Sequence, residues 1–236
     1  MSVFTNFKIK VPLTPVQAPK SFQVDLTGAA SQAMINSYGV YFREAAAATR
    51  LPVAVLYTIA MIEQTGKHFK SNGQVAVSGK ERSTGIMQVS PDECNDSLSK
   101  ELSRGRINQD ELTVLNKYLT TPIYIGEKIS TPANAATKLM YFNALKNVEF
   151  NIMMGAVIFR KLLEETAMPD GTMRLDKAII KYNIGEYSAP TKTTAFVKAD
   201  TTALMRTVNP ITKEYIAKAV GVNGGMYYYF TINNIT

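Results

Sequence analysis

The sequence predicts a mainly helical protein with an extended N-terminal arm and a short strand-like C-terminal tail. Three observations lead there. Helical sequence is read over most of 30–220, with only short polar breaks. Helix punctuation falls between those segments: Pro52 suits a first turn, Asn108-x-x-Glu111 resembles a capping box, and Gly66 and Gly185 close runs. Hydrophobic residues make up 46% of the 236, enough to build a sizeable core.

Each element follows in order. Pro12, Pro15 and Pro19 fall in residues 1–28, with alternating apolar Phe7, Ile9 and Val11, which reads as an extended arm with one short strand. Residues 30–49 are Ala-rich helical sequence, and a second helix runs from Pro52 to about Gln64, with Val53, Leu56, Ile59, Ala60 and Glu63 on one face. A polar loop rich in Gly, Ser and Lys covers 65–84, and helix is expected to resume near Ile86. Further helices are expected at Leu112–Tyr118, from Pro132 to about Leu145, from Val148 to Glu165, and from Leu175 to Asn183. Asp170-Gly171 is a turn, and two more helices are read near 199–207 and 211–220. Gly224-Gly225 breaks the chain before Met226–Ile232, whose aromatic and β-branched content suits a strand. The expected organisation is an arm over 1–28, one helical domain over 29–222 and a tail over 223–236.

Charge and reactive residues narrow the chemistry. Lys and Arg number 26 against 19 Asp and Glu, a net charge of +7, which favours an anionic partner. A basic helix or an interleaving of aromatic and basic residues is not found, so nucleic acid is not expected. One cysteine, Cys94, excludes an internal disulfide, and with one histidine, His68, it cannot make an ordinary Cys/His zinc site. His68 is expected in a surface loop. No stretch reaches 18 uninterrupted apolar residues, so no membrane span is expected, and the N-terminus does not read as a secretion signal.

One set of residues converges on a chemistry. Glu63 closes an apolar helical run ending Ile59-Ala-Met-Ile-Glu63. A carboxyl against apolar walls has its pKa raised and can act as an acid, as glycosidic cleavage requires. After it come Gly85-Ile-Met-Gln88 with Val89-Ser-Pro91, Asn151-Ile-Met-Met-Gly155 followed by Phe159-Arg-Lys-Leu-Leu163, and Tyr182-Asn-Ile-Gly185.

In this order the segments resemble the motifs of the SLT-type lytic transglycosylases, which share a goose-type-lysozyme-like fold. The resemblance covers about residues 45–220 and extends weakly to Thr212-Lys-Glu-Tyr215. Gln64 stands where the family has Ser, and Lys181 where it has Ala. The resemblance implies an α+β lysozyme-like domain, with Glu63 as acid and then base, and Tyr182 as a second catalytic residue, its hydroxyl near the scissile bond or near Glu63. It implies Gln88 and Asn183 as sugar or N-acetyl contacts through their amides, Met87 as shaping the pocket, and Gly85 and Gly185 as points of close backbone approach to the substrate or of a tight turn. Ser78 and Ser83 are both candidates for the family's intervening serine, because the loop before Gly85 is longer than the family's. No cofactor or metal is called for.

The mechanism implied is release of 1,6-anhydro-N-acetylmuramoyl ends from peptidoglycan, the C6 hydroxyl of the substrate attacking its own anomeric carbon. Such an internal nucleophile is worth up to roughly 7–11 kcal/mol in effective molarity, so no water-activating base is needed. A hydrolytic lysozyme of the same fold would need one; Glu81, Asp92 and Glu93 stand in plausible stretches but read as solvated loop charges. An inactive structural protein retaining the fold is the other alternative. The absence of a readable secretion signal and the flanking arms lead us to expect a bacteriophage virion or tail protein acting on peptidoglycan strands at the host periplasm, alongside other virion proteins. Asn151, Gly155, Met87 and Met153 are also open to a plain packing role. The run Tyr227-Tyr-Tyr229 is expected in a packed tail, and Lys67, Lys70, Lys80 and Arg82 on a solvated face.

Overall fold

The computed structural model describes residues 8–10, 26–167, 172–185, 206, 208–221 and 224–226. Two compact units emerge: Ala29–Lys161, and a second made of Met1–Gly28 with Leu162–Thr236. The boundary between them falls within a helix, between Lys161 and Leu162. The described residues are mainly helical, in keeping with the predicted class, and no helix among them is long and apolar enough to cross a membrane.

In the first unit, α1 (Ala29–Thr49) packs on α2 (Val53–Gln64), with Phe42 and Tyr57 meeting edge to face at 4.8 Å between ring centroids. Helix α2 was expected to bury one face. Instead every residue from Ala54 to Ala60 is buried, and only Val53 and the last turn, Met61–Gln64, are partly exposed. A near-continuous apolar sequence permits this, since VAVLYTIAM has no polar stripe except Thr58, whose hydroxyl donates to the Ala54 carbonyl at 2.7 Å. The polar loop after α2 contains a short antiparallel hairpin, β2 (Val77–Ser78) with β3 (Ser83–Thr84), in the register Val77↔Thr84 and Ser78↔Ser83.

Helix does not resume at Ile86. Residues 85–88 form a turn, and α3 (Pro91–Ser103) starts from Ser90, whose side chain accepts from the Glu93 N–H, with Pro91 in the first turn. Helix α4 (Gln109–Asn116) opens with the predicted capping box, both reciprocal bonds being present. Pro132 lies in the preceding loop after a cis peptide bond and does not open a helix; Asn134 caps α5 (Ala135–Leu145) through the Thr137 N–H.

The next helix, α6 (Val148–Glu164), is buried from Glu149 to Leu163, so its polar residues must be paired. Arg160 lies between Glu101 and Glu111: its Nη2 is 3.3 Å from Glu101, and its Nη1 donates to Glu111. The Lys161 ammonium donates to Ser97 Oγ at 3.0 Å.

In the second unit, the predicted strand in the N-terminal arm is present as β1 (Lys8–Lys10), which pairs in parallel with β4 (Thr172–Arg174). Helices α7 (Leu175–Ile184) and α8 (Pro210–Val220) pack on each other, and Asn209 caps α8 by accepting from the Thr212 N–H at 2.8 Å. Asp170-Gly171, the strand-like Tyr227–Ile232 and nearly all of 199–207 lie outside the described residues.

Candidate active site

Glu63 sits in the last, partly exposed turn of the otherwise buried α2. The chain leaves this turn through two successive left-handed residues, Thr65 at φ 51° and Gly66 at φ 75°. Their N–H groups donate to the carbonyls of Met61 and Ala60 at 3.0 and 3.1 Å, which closes the helix end at the expected glycine. A Cβ on Gly66 would lie 3.0 Å from the Met34 side chain of α1, so the exit from α2 runs close against that helix.

Two residues on is His68, and here the sequence reading is corrected. His68 is fully buried, not a surface residue. Its Nδ1 accepts from the Ile86 N–H at 3.2 Å, which puts the ring proton on Nε2, and that N–H donates to the Lys146 carbonyl at 2.9 Å. Burial pulls its pKa below the ordinary value, with the bond to the Lys146 carbonyl opposing. The imidazole therefore links the segment after Glu63 to the Gly85–Gln88 turn and to the end of α5. A polar loop sequence carries no local sign of this, because the partners are 18 and 78 residues away.

The Gly85–Gln88 turn is held from a second side by α6. Asn151 is buried, and its Oδ1 accepts from the Met87 N–H at 2.9 Å. Its Nδ2 donates to the carbonyls of Thr84 at 2.7 Å and Leu145 at 3.3 Å. Gly85, at φ 77°, has no room for a side chain: a Cβ would lie 2.5 Å from Asn151 Nδ2 and 2.6 Å from His68 Cε1. One helical turn along α6, a Cβ on Gly155 would lie 2.7 Å from the Cβ of Met87. The second and third motifs are thus one interlocked piece, with Met87 fully buried against α6.

Gln88 itself is left-handed, at φ 49°, and partly exposed. Its Nε2 donates to the Gly85 carbonyl at 2.8 Å, and its Oε1 accepts from the Ser78 hydroxyl. Of the two serines left open by the sequence, Ser78 is the one joined to the glutamine; Ser83 is its cross-strand partner on the hairpin. Lys67, Lys70, Lys80 and Arg82 are exposed as expected, and the Arg82 guanidinium also stacks 3.6 Å from the Phe142 ring centroid.

The remaining predicted residues belong to the second unit. Tyr182 and Asn183 are in the last two turns of α7, both partly exposed, and Gly185 ends the helix at φ 86°. Asn183 Oδ1 accepts from the hydroxyl of Thr212, the first residue of the weakest matched segment, at 2.9 Å. That bond ties α7 to α8. Of the acids considered for a hydrolase, Asp92 pairs with Lys138 at 2.8 Å, while Glu81 is exposed in the turn between β2 and β3.

No protein-family model matches the chain, and comparison with the curated proteins and with the solved structures yields no match.

Proposed function

We propose that this protein cleaves the glycan strands of peptidoglycan as a lytic transglycosylase, with Glu63 as its single acid/base. One observation carries the reading: the Gly85–Gln88 and Asn151–Gly155 segments are in contact through Gly85, Met87, Asn151 and Gly155.

The chemistry would run as follows. Glu63, on a partly exposed turn at the end of a buried apolar helix, gives its proton to the leaving glycosidic oxygen as positive charge develops at the anomeric carbon. The resulting carboxylate takes the proton of the substrate's C6 hydroxyl as that oxygen bonds to the anomeric carbon. The leaving sugar departs with its new hydroxyl, and the other fragment ends as the 1,6-anhydro sugar, with Glu63 reprotonated. Gln88, oriented by Ser78 and the Gly85 carbonyl, would contact an N-acetyl or hydroxyl group. Asp92 is occupied by Lys138, which favours this route over one with a water-activating base. Local opening of the cell wall by a bacteriophage particle is the setting we infer for the activity.

The test is digestion of purified peptidoglycan by the wild type and by Glu63→Gln, with released fragments identified by mass spectrometry. Anhydro-muramoyl ends from the wild type alone are expected. Reducing ends would replace the transglycosylase by a hydrolase, and no release from several wall types would leave a structural protein.

A further inference from the structure

Two cations of the first unit share one aromatic ring. The Arg82 guanidinium lies 3.6 Å from the Phe142 ring centroid, and the Lys146 ammonium lies 4.6 Å from the same centroid. We propose that Arg82 and Lys146 form a carboxylate-binding subsite next to Gln88, which takes a stem-peptide carboxylate of the glycan ligand. The identity of that ligand rests on the peptidoglycan reading above; the need for an anion is argued from the cations themselves.

Both cations are held in place. Arg82 is left-handed at φ 58°, a conformation that a residue with a side chain keeps only where its surroundings impose it. Its carbonyl accepts from the hydroxyl of buried Thr84 at 2.6 Å, and its N–H donates to the Gly79 carbonyl at 3.4 Å. Lys146 closes α5, and its carbonyl accepts from the buried His68 ring at 2.9 Å. The Phe142 ring, one turn earlier on α5, is 9% exposed and so forms a fixed platform for both.

Neither cation is paired with a carboxylate among the described residues. The guanidinium has the ring as its contact, and the ammonium has the ring and the neutral Asn143 Oδ1 at 2.8 Å. Both residues are exposed, and like charges set against one ring repel each other. An oxyanion between them removes that repulsion. It also meets a guanidinium whose face is taken by the ring and whose N–H edges remain for a planar, two-oxygen acceptor. Lys67, Lys70 and Lys80 add exposed positive charge from the same loop, and Glu81, the one acid in 67–82, forms an ion pair with none of these cations.

The hairpin puts this anion next to the glutamine. Arg82 directly precedes Ser83, the cross-strand partner of Ser78, and Ser78 donates to Gln88. A ligand that meets Gln88 through an N-acetyl or hydroxyl group therefore has the cationic turn as its neighbour. An amide or hydroxyl on the strand with a carboxylate on a branch is the chemistry of a peptide-substituted glycan, not of a phosphate polymer.

The experiment titrates isotope-labelled full-length Glu63→Gln, chosen so that no probe is consumed, and follows it by NMR. The probes are N-acetylglucosaminyl-N-acetylmuramoyl-L-alanyl-D-isoglutamine, the same molecule with its free carboxylate amidated, and glycerol 3-phosphate. Saturable shifts of Arg82, Phe142 and Lys146 are expected with the acid, bound roughly fivefold or more tighter than the amide. Adding Arg82→Gln or Lys146→Gln should bring the acid down to the level of the amide with little change in the unfolding midpoint. Lys128→Gln, which removes the same charge from the exposed loop before α5, should not. Equal affinity for acid and amide, a loss in Lys128→Gln as large as in Arg82→Gln and Lys146→Gln, tighter binding of glycerol 3-phosphate, or no binding overturns the proposal. Peptidoglycan digestion by the wild type is read separately. Glycan release without a preference for the acid removes the subsite alone, and a preference without release removes the proposed reaction alone.

Discussion

Acidifying the protein from about pH 7.5 to 5 should remove the stability contributed by neutral His68, above the range where ordinary carboxylates near 4 titrate. The ring is fully buried, and its unprotonated Nδ1 faces the Ile86 N–H at 3.2 Å. A second proton would go on that nitrogen, break its bond and set two donors against each other away from water. Burial accordingly holds the folded pKa below the ordinary value near 6.5, while in the unfolded chain the imidazole titrates normally. The unfolded state then binds the proton more readily. The stability contributed by neutral His68 is fully present above about pH 6.5 and is lost as pH falls towards the folded pKa. One proton sets the limit: at most about 1.4 kcal/mol is lost per pH unit between the two values. The chain has one histidine, so the assignment is unambiguous. Urea unfolding across this window should be run on the wild type and on His68→Gln, whose amide can accept from Ile86 and donate to Lys146 without titrating. Glu111, raised by burial against the opposing charge of Arg160, contributes a slope of the other sign, and it cancels in the difference between the two proteins. A difference that stays flat across this window, or an imidazole that titrates near 6.5 in the folded protein by NMR, would refute the reasoning.

Other perturbations follow from the same contacts. Asn151→Ala strands the Met87 N–H and the Thr84 carbonyl in a buried site and should cost about 2–5 kcal/mol, read as a lower urea midpoint at unchanged slope. Gly155→Ala forces a Cβ to 2.7 Å from that of Met87 and should cost about 1–3 kcal/mol by the same measurement; a shift under half a kcal/mol would mean that α6 yields freely. Ser78→Ala removes one exposed hydrogen bond to Gln88, so stability should change by less than about 1 kcal/mol, and glycan release should slow by no more than about tenfold.

The sequence was most readable where the determinants are local. The capping box of α4, the glycine exit from α2 and the uninterrupted apolar run of α6 are all written within a few residues. It was least readable where a distant partner overrides the local pattern. Ile86–Val89 has helical-looking composition, but left-handed Gly85 and Gln88 bend it into a turn, and Asn151 and His68 hold it there from other parts of the chain. Pro132 could open a helix, yet Asn134 supplies the cap. The buried trio Glu101, Glu111 and Arg160 was invisible as a unit, although Glu111 was recognised for its capping role. In the candidate site, the segments are read from their order, but that Ser78 and not Ser83 bonds Gln88 is visible only once the hairpin is formed.

This division bears on what the motifs mean. Asn151, Gly155, Gly85 and Met87 hold one turn against one helix, and Asn183 with Thr212 joins another pair of helices. These residues are demanded by packing whether or not the protein cleaves anything, so their presence argues for a scaffold before it argues for a reaction. Loss of activity in Asn151→Ala would therefore be uninformative, because the turn and its chemistry would fail together. Glu63 is different. It occupies a partly exposed final turn, beyond the buried stretch of α2, where an amide of the same shape can replace the carboxyl at little cost to the fold. A Glu63→Gln protein that unfolds at the wild-type urea midpoint but releases no anhydro-muramoyl fragments would separate chemistry from scaffold. Equal release by both proteins would show that the carboxyl is not the acid, and that the interlocked motifs mark a retained architecture rather than a working site.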